Sequence, residues 1–407
     1  MKRLLLISGP LLVAAGLAAS CKGSDDAPAS SESEGGAVTW HQDIAPLVAA
    51  KCGGCHSAGG IAPFGLETYD EAHQWGSAMN SSIQNGTMPP WGAQETDECT
   101  PPADFKDDIR LTDDEKELFA RWIEEGKQEG DPDRAAALPS PPQLALEEAD
   151  RQLTIPSAVT VEGTDDDFVC FTIDPGITEK VWLRNSQVQP GNDAIVHHAL
   201  VFLDRDGEGE TQADENGQYK CFGGPGLENP TLLSAWAPGA VPSSLPNDIG
   251  TPLNPGDRLV VQVHYHPTGQ GPEEDEQTRV DLKWTTTEPD FVGAVVLIGN
   301  FDEVGETIAG GDGFGLTSGP EFLIPAGEEK HTETSKFRLP GAENELSQFM
   351  PLRLWMVGTH MHYVGTDMKI TATNSEGEEQ CLVQTPNWDF NWQRGYFFEA
   401  DTPFELP

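Results

Sequence analysis

Basic residues are scarce in this chain. Its 407 residues include 24 lysines and arginines against 67 aspartates and glutamates, a formal charge of −43 at neutral pH. Such a surface repels phosphate, which excludes nucleic acid and anionic membrane surfaces as partners. Long apolar runs are also missing: past Ser20 no stretch is long and apolar enough to cross a bilayer. No nucleophile–base constellation suggests a hydrolase. Glycine and proline, in contrast, are plentiful at 43 and 32, which points to many turns and short strands and to β-rich folding in the later half. The length allows roughly two to four domains.

The start of the chain reads as a targeting segment. Lys2 and Arg3 precede an apolar stretch from Leu4 to Leu17, too short for a convincing span, and Ala18-Ala19-Ser20-Cys21 follows. This arrangement resembles a bacterial lipoprotein signal, with residues 1–20 as signal peptide and Cys21 as the lipidated residue. Residues 21–37, rich in Ser, Asp, Glu and Gly, would be a flexible tether. The expected location is exported: periplasmic, or at the outer membrane or cell surface of a bacterium, held to the membrane by the lipid anchor only. In that oxidising setting Cys99, Cys170, Cys221 and Cys381 would be the disulfide formers, and four thiols allow three pairings.

Residues 38–130 read as a small all-α domain. Trp40 to Ala50 has apolar residues at helical intervals. Thr112-Asp113-Asp114-Glu115 is a capping box opening a helix whose Leu118, Phe119, Trp122 and Ile123 form one apolar stripe, with Gly126 and Gly130 as stops. Residues 131–156 look like a linker, with a short helix expected at Leu144 to Leu153. From Ser157 the apolar period changes to two, as in Phe168–Ile173, Val181–Leu183, Ile195–Leu203, Arg258–His266 and Arg279–Trp284, with turn clusters between. The spacing predicts antiparallel β-sandwiches, a first at 157–289 and a second at 290–407, split near Glu288-Pro289-Asp290.

Cys52-Gly-Gly-Cys55-His56 lies in the helical segment. Two thiols at this spacing can add to the vinyl groups of a haem, and the adjacent histidine can reach the iron. A zinc site would want a second ligand pair, and a thioredoxin-like motif a βαβ context; neither follows. Met88, in the Pro-stiffened stretch before the last helix, is the candidate for the opposite axial position, and Met79 the lesser option. The layout resembles a class I cytochrome c, which implies haem c bound by Cys52, Cys55, His56 and Met88. His41 and His73 are expected to be structural or exposed.

Six of the ten histidines gather as His197-His198, His264-Tyr265-His266 and His360-Met361-His362, each beside a strand-like run. Neutral imidazole is the commonest protein metal ligand, and three with open positions suit copper or zinc. His360 and His362 would share a strand face. His197 and His198 would point to opposite faces unless a bulge turns one of them. The three motifs in order, with Phe168-Val169-Cys170, Ala235-Trp236-Ala237-Pro238-Gly239 and Leu323-Ile324-Pro325-Ala326-Gly327-Glu328, resemble the copper type II, ascorbate-dependent monooxygenases. That resemblance implies two jelly-roll-like domains, each holding one copper across a solvent-filled cleft. His197, His198 and His264 would hold the electron-storing ion. His360 and His362 would hold the catalytic one, where dioxygen hydroxylates a C–H bond of a small organic substrate. It also implies a Cys170–Cys221 disulfide and leaves His266 as a structural residue or a support behind the ligands; His331 matches nothing. Electrons would come through the fused haem from a donor protein or small reductant. The alternative is a lipid-anchored haem and copper electron-transfer or metal-binding protein without oxygenase activity.

The family's second copper also takes a late methionine, and no methionine follows Met368. Thr402-Pro403-Phe404-Glu405-Leu406-Pro407 echoes Thr251-Pro252-Leu253-Asn254-Pro255, after which the chain runs into the strand bearing His264. The second domain is therefore expected to be incomplete here, a naturally degenerate second site being the alternative. Its missing strands would carry the methionine and could carry a partner for Cys381. The acidic run at Glu273 to Glu276 reads as a solvated loop, and Trp388-Asp389-Phe390-Asn391-Trp392 as packing against the sandwich, with lining of a cleft the alternative.

Overall fold

The computed structural model describes residues 36–58, 62–140, 144–222, 224–228, 230–246, 248–295, 315–318, 324–338, 353–374, 376–399 and 404–405. Cys21 and the signal segment lie outside the described residues, as do parts of the expected 292–298 and 322–324 strands.

The helical part follows its local signals. A π-helical turn at Trp40–Ile44 runs into helix α1, Ala45–Lys51. Helix α2, Tyr69–Gln84, starts at a Thr68/Glu71 capping box; helix α3, Asp113–Glu124, starts at the Thr112/Glu115 box expected from sequence. Each box satisfies backbone donors that the first helical turn leaves open. The inward stripes bury Ile44, Val48, Met79, Ile83, Phe119 and Trp122 in one core. Trp122 is wholly buried, and its indole N–H donates to the Gln128 carbonyl at 3.0 Å, so the largest side chain of that core leaves no polar atom unpaired. Met79 is buried in the same core.

The rest of the described chain is predominantly β, and its sheets are almost wholly antiparallel. A five-stranded sheet has the order Gln218–Lys220, Asp167–Ile173, Arg258–Tyr265, Val196–Asp204, Thr231–Trp236. It faces a six-stranded sheet built on Val181–Gln189 and Arg279–Thr285. Leu259, Val261 and Val263 point into the shared core with Val169, Phe171, Val201, Leu203, Leu183, Val188, Val280 and Leu282. Because side chains alternate, Gln262 and His264 fall on the outer face of the first sheet, alongside the Cys170–Cys221 disulfide that staples Asp167–Ile173 to the chain after Gln218–Lys220. The disulfide implied by the family resemblance is thus present.

Two expectations are corrected. Leu144 to Leu153 is not a helix: Arg151–Thr154 is a strand paired with Arg279–Thr285, and Leu153 is buried in the sandwich. An available edge strand decides the conformation there, over a weak local helical spacing. Cys381 does not await a partner beyond Pro407. It is bonded to Cys99, 282 residues earlier.

That second disulfide reports how the C-terminal part is built. Among the described residues beyond Asp290, the strands pair two by two apart from the Phe291–Val292 edge: Met356–Gly358 with Gly395–Phe397, Met368–Thr373 with Glu379–Thr385, Arg353–Leu354 with Phe404–Glu405 and Gly315–Ser318 with Lys336–Arg338. Their core is completed from the N-terminal side by Trp91, Ala93 and Phe105, which pack with Val357, Leu382, Val383, Tyr396 and Phe398. Backbone bonds from Gln94 to Gln384 (2.9 Å) and from Lys106 to Phe397 (2.8 Å) continue the pairing. Residues from Val38 onward form one compact unit.

Candidate functional site

The first histidine group is assembled by a register shift. His264 is opposite His198, yet Tyr265 is opposite Val196, so His197 is the extra residue of a β-bulge. The bulge turns the His197 ring to the same side as its neighbour, which a regular strand would forbid. The Nδ1 atom of His198 lies 3.2 Å from Nδ1 of His197 and 3.3 Å from Nδ1 of His264. Ligand atoms of all three lie within 4.8 Å of one another. Tetrahedral metal–nitrogen bonds of about 2.0–2.1 Å separate their nitrogens by about 3.3 Å, so the donor set fits one ion.

Electrostatics favours the same reading. Burial, with His264 and His197 next, pushes His198 down to about 2; His360 and His362 also contribute, so the second histidine pair lies within electrostatic reach. Burial and His197 push His264 down to about 4, against the pull of Asp166. Burial lowers His197 too. These imidazoles are therefore neutral, with lone pairs available for a metal. Three nitrogens that face one another cannot all carry hydrogens, and a shared cation resolves the conflict.

Asp166 supports this group and was not legible in the sequence. One carboxylate oxygen lies 3.1 Å from His264 Nε2, at an angle too bent for a full hydrogen bond; the other accepts from His266 Nδ1 at 2.6 Å. Burial raises the Asp166 carboxyl, but the two histidines outweigh that and hold it below the usual carboxylate range. Holding the remote nitrogen of an imidazole fixes which nitrogen is left to bind. Phe168 stacks on His264 with centroids 4.2 Å apart and planes 8° from parallel.

His360 and His362 lie just past the Met356–Gly358 strand rather than on it, in the following extended segment. Their rings are 5.3 Å apart, and His360 Nδ1 donates to Gln393 at 2.5 Å. Among the described residues no further His, Cys, Asp or Glu completes a metal group around this pair. Between the two histidine groups stands Phe390, buried, its ring 4.8 Å from His197 and 6.0 Å from His362. An aromatic bridge therefore occupies this approach between the groups, where an open, solvent-filled cleft was expected. Tyr363 and Phe222 are exposed beside it, on Phe390 and Phe168 respectively.

Cys52 and Cys55 are free thiols, both half-buried. Burial, and secondarily Cys55, push the Cys52 thiol up to about 12, which keeps it in the protonated form. The motif continues helix α1 by one turn, the His56 amide donating to the Cys52 carbonyl at 2.9 Å. His56 Nδ1 donates to the Phe64 carbonyl at 3.1 Å, leaving Nε2 as the ligand atom. The rings of His56, Phe64 and Trp75 follow one another at 4.7 and 4.3 Å, an aromatic wall suited to a flat macrocycle. These residues fit a covalent haem. Met88 is half-buried in the loop after helix α2. His331 pairs with Glu333 at 2.5 Å and takes no part in either group.

Two disulfides are consistent with an oxidising, extracellular setting, and no described helix is long and apolar enough to cross a membrane. No protein-family model matches the chain, and no curated protein is significantly similar to it.

Proposed function

We propose that this chain is an exported copper-dependent monooxygenase that uses dioxygen to hydroxylate a C–H bond of a small organic substrate. The observation that carries the reading is the convergence of His197, His198 and His264 through a bulge made for the purpose, facing a second pair at His360 and His362. Copper at these positions would supply one-electron chemistry and dioxygen reduction. The first three imidazoles hold the electron-storing ion, Asp166 keeps His264 in its binding tautomer, and His360 and His362 hold the catalytic ion. Cys52, Cys55, His56 and Met88 hold haem c, so the helical part acts as a cytochrome c-like electron carrier fed by a donor protein or small reductant. Jelly-roll-like sandwiches carry the two copper groups, and Cys21 anchors the protein by lipid at a bacterial membrane surface facing the periplasm or the exterior.

A second reading, a haem and copper electron-transfer or metal-binding protein, is favoured by one observation: His360 and His362 have no third ligand among the described His, Cys, Asp and Glu residues. Copper titration combined with oxygen uptake separates the two. The oxygenase binds two coppers per chain and consumes oxygen in proportion to a hydroxylated product, and His360→Ala abolishes product. One copper per chain, with no product-linked uptake from a panel of peptides, catechols and small aliphatic compounds, supports the second reading.

A further inference from the structure

The short segment from Trp388 to Arg394 touches every metal motif in the chain. Phe390 stacks on His197, with planes 15° from parallel. The Trp388 indole N–H donates to the His362 carbonyl at 3.2 Å. Gln393 accepts from His360 Nδ1, and its own amide donates to the Phe390 carbonyl at 2.9 Å. Arg394 reaches the stretch two residues past Met88. Its guanidinium sits 4.5 Å over the Trp91 ring and donates to the Pro90 carbonyl at 3.4 Å. At Cys55 itself, a Cβ built on Gly239 would come within 3.3 Å of the sulfur. Gly239, with φ of +81°, follows the Thr231–Trp236 strand, whose Trp236 is opposite Ala199, the neighbour of His198. The absence of a side chain at Gly239 is what lets the sulfur approach.

We propose that Trp388–Arg394 is an internal electron bridge, in which Arg394 holds the loop carrying Met88, Gly239 makes room for the Cys55 edge of the haem, and Gln393 and Phe390 connect that seat to the two histidine groups. The inference rests on the haem and copper reading above and adds the route. In the step it describes, one electron leaves ferrous haem, which becomes ferric, and reduces Cu(II) held by His360 and His362 to Cu(I). No bond forms or breaks, and Gln393 exchanges no proton because it only accepts from an imidazole N–H. Gln393 and Arg394 are positioning residues: they fix the separation across which the electron moves. The seat is not a loose encounter. The Cys99–Cys381 disulfide and the bonds from Gly92 and Ala93 amides to the Tyr396 hydroxyl (3.1 and 3.0 Å) tie the chain beside Trp91 to the Gly395–Phe397 strand that continues the bridge.

The test uses the full chain, matured in a host that attaches c-type haem, loaded with copper and kept free of oxygen. A photochemical pulse reduces the haem, and loss of the ferrous absorption reports electron transfer to copper. The expected rate is independent of protein concentration. Gln393→Leu, compared at matched haem content and matched copper loading, slows it by about tenfold or more. A rate that scales with protein concentration, or a Gln393→Leu rate equal to that of the unaltered chain, overturns the bridge and leaves the oxygenase reading standing. A chain that takes up no covalent haem in that host overturns both.

Discussion

Asp166 stands behind His264, its Oδ2 3.1 Å from the Nε2 of an imidazole that is 1% exposed. The carboxylate leaves Nδ1 as the donor facing His198. Asp166→Asn is expected to weaken copper at the first group by about 10–100-fold, and His264→Ala to remove it, with the ion at His360 and His362 retained. Competitive titration with a copper chelator reads both. Equal affinity in Asp166→Asn and the unaltered chain would show that the carboxylate serves His266 alone.

Neutral buried histidines make the metal-free protein acid-sensitive. His198 and His264 are held at about 2 and about 4, whereas in the unfolded chain they titrate near ~6.5. Below that value the unfolded chain binds protons that the folded chain refuses, so stability falls as pH drops from 7 towards 4. At pH 5 the cost is about 2 kcal/mol for each of the two. Urea unfolding of the metal-free protein should show its midpoint falling over this range, and His198→Ala should flatten the slope. Added copper should restore the midpoint until protons displace it. A metal-free midpoint independent of pH between 7 and 5 would contradict the assigned burial.

The two disulfides should differ in worth. Cys99–Cys381 closes a separation of 282 residues and Cys170–Cys221 one of 51. Loop-closure entropy makes the longer bridge about 1.5 kcal/mol more stabilising. Cys99→Ser/Cys381→Ser should therefore lower the unfolding midpoint more than Cys170→Ser/Cys221→Ser. The reverse order would locate the effect in the folded sandwich rather than in the unfolded chain.

Tyr396 is a single hydroxyl serving two backbone donors, Gly92 and Ala93, at the join between the N-terminal loop and the C-terminal strands. Ala93 is buried, so its amide has no ready access to water. Tyr396→Phe is expected to cost about 1–3 kcal/mol and to speed hydrogen exchange at Ala93. Unaltered exchange there would mean that another acceptor takes over.

Legibility of the fold followed the range of each interaction. The Thr112/Glu115 box could be read because cap and partner are three residues apart, and the structure starts helix α3 there. The histidine motifs could be read because each is local. Their meeting needed a bulge that sequence periodicity names only as a condition, since alternation alone sends His197 into the core. Asp166 and Gln393 were not legible at all, and Phe390 and Gly239 stood out only within short motifs without a role: each matters through a neighbour far along the chain, and nothing in Trp388-Asp389-Phe390-Asn391-Trp392 distinguishes a bridge from ordinary packing. The partner of Cys381 was hidden for a simpler reason, because thiols carry no label. The strand at Arg151–Thr154 was misread because its leucine-rich approach has helical spacing, while the edge that captures it is Arg279–Thr285.

The bond between Cys99 and Cys381 also sets an order of events during synthesis. Helices α1 and α2 can close on themselves as soon as they emerge, but the stretch around Trp91 must wait for strands made much later. Until then Cys99 is an unclaimed thiol beside the nascent Cys170 and Cys221, and an oxidase acting early would join the wrong pair. A crosslink formed too early must be reshuffled, so the yield of correctly bonded chain is expected to rise with the isomerase activity of the host.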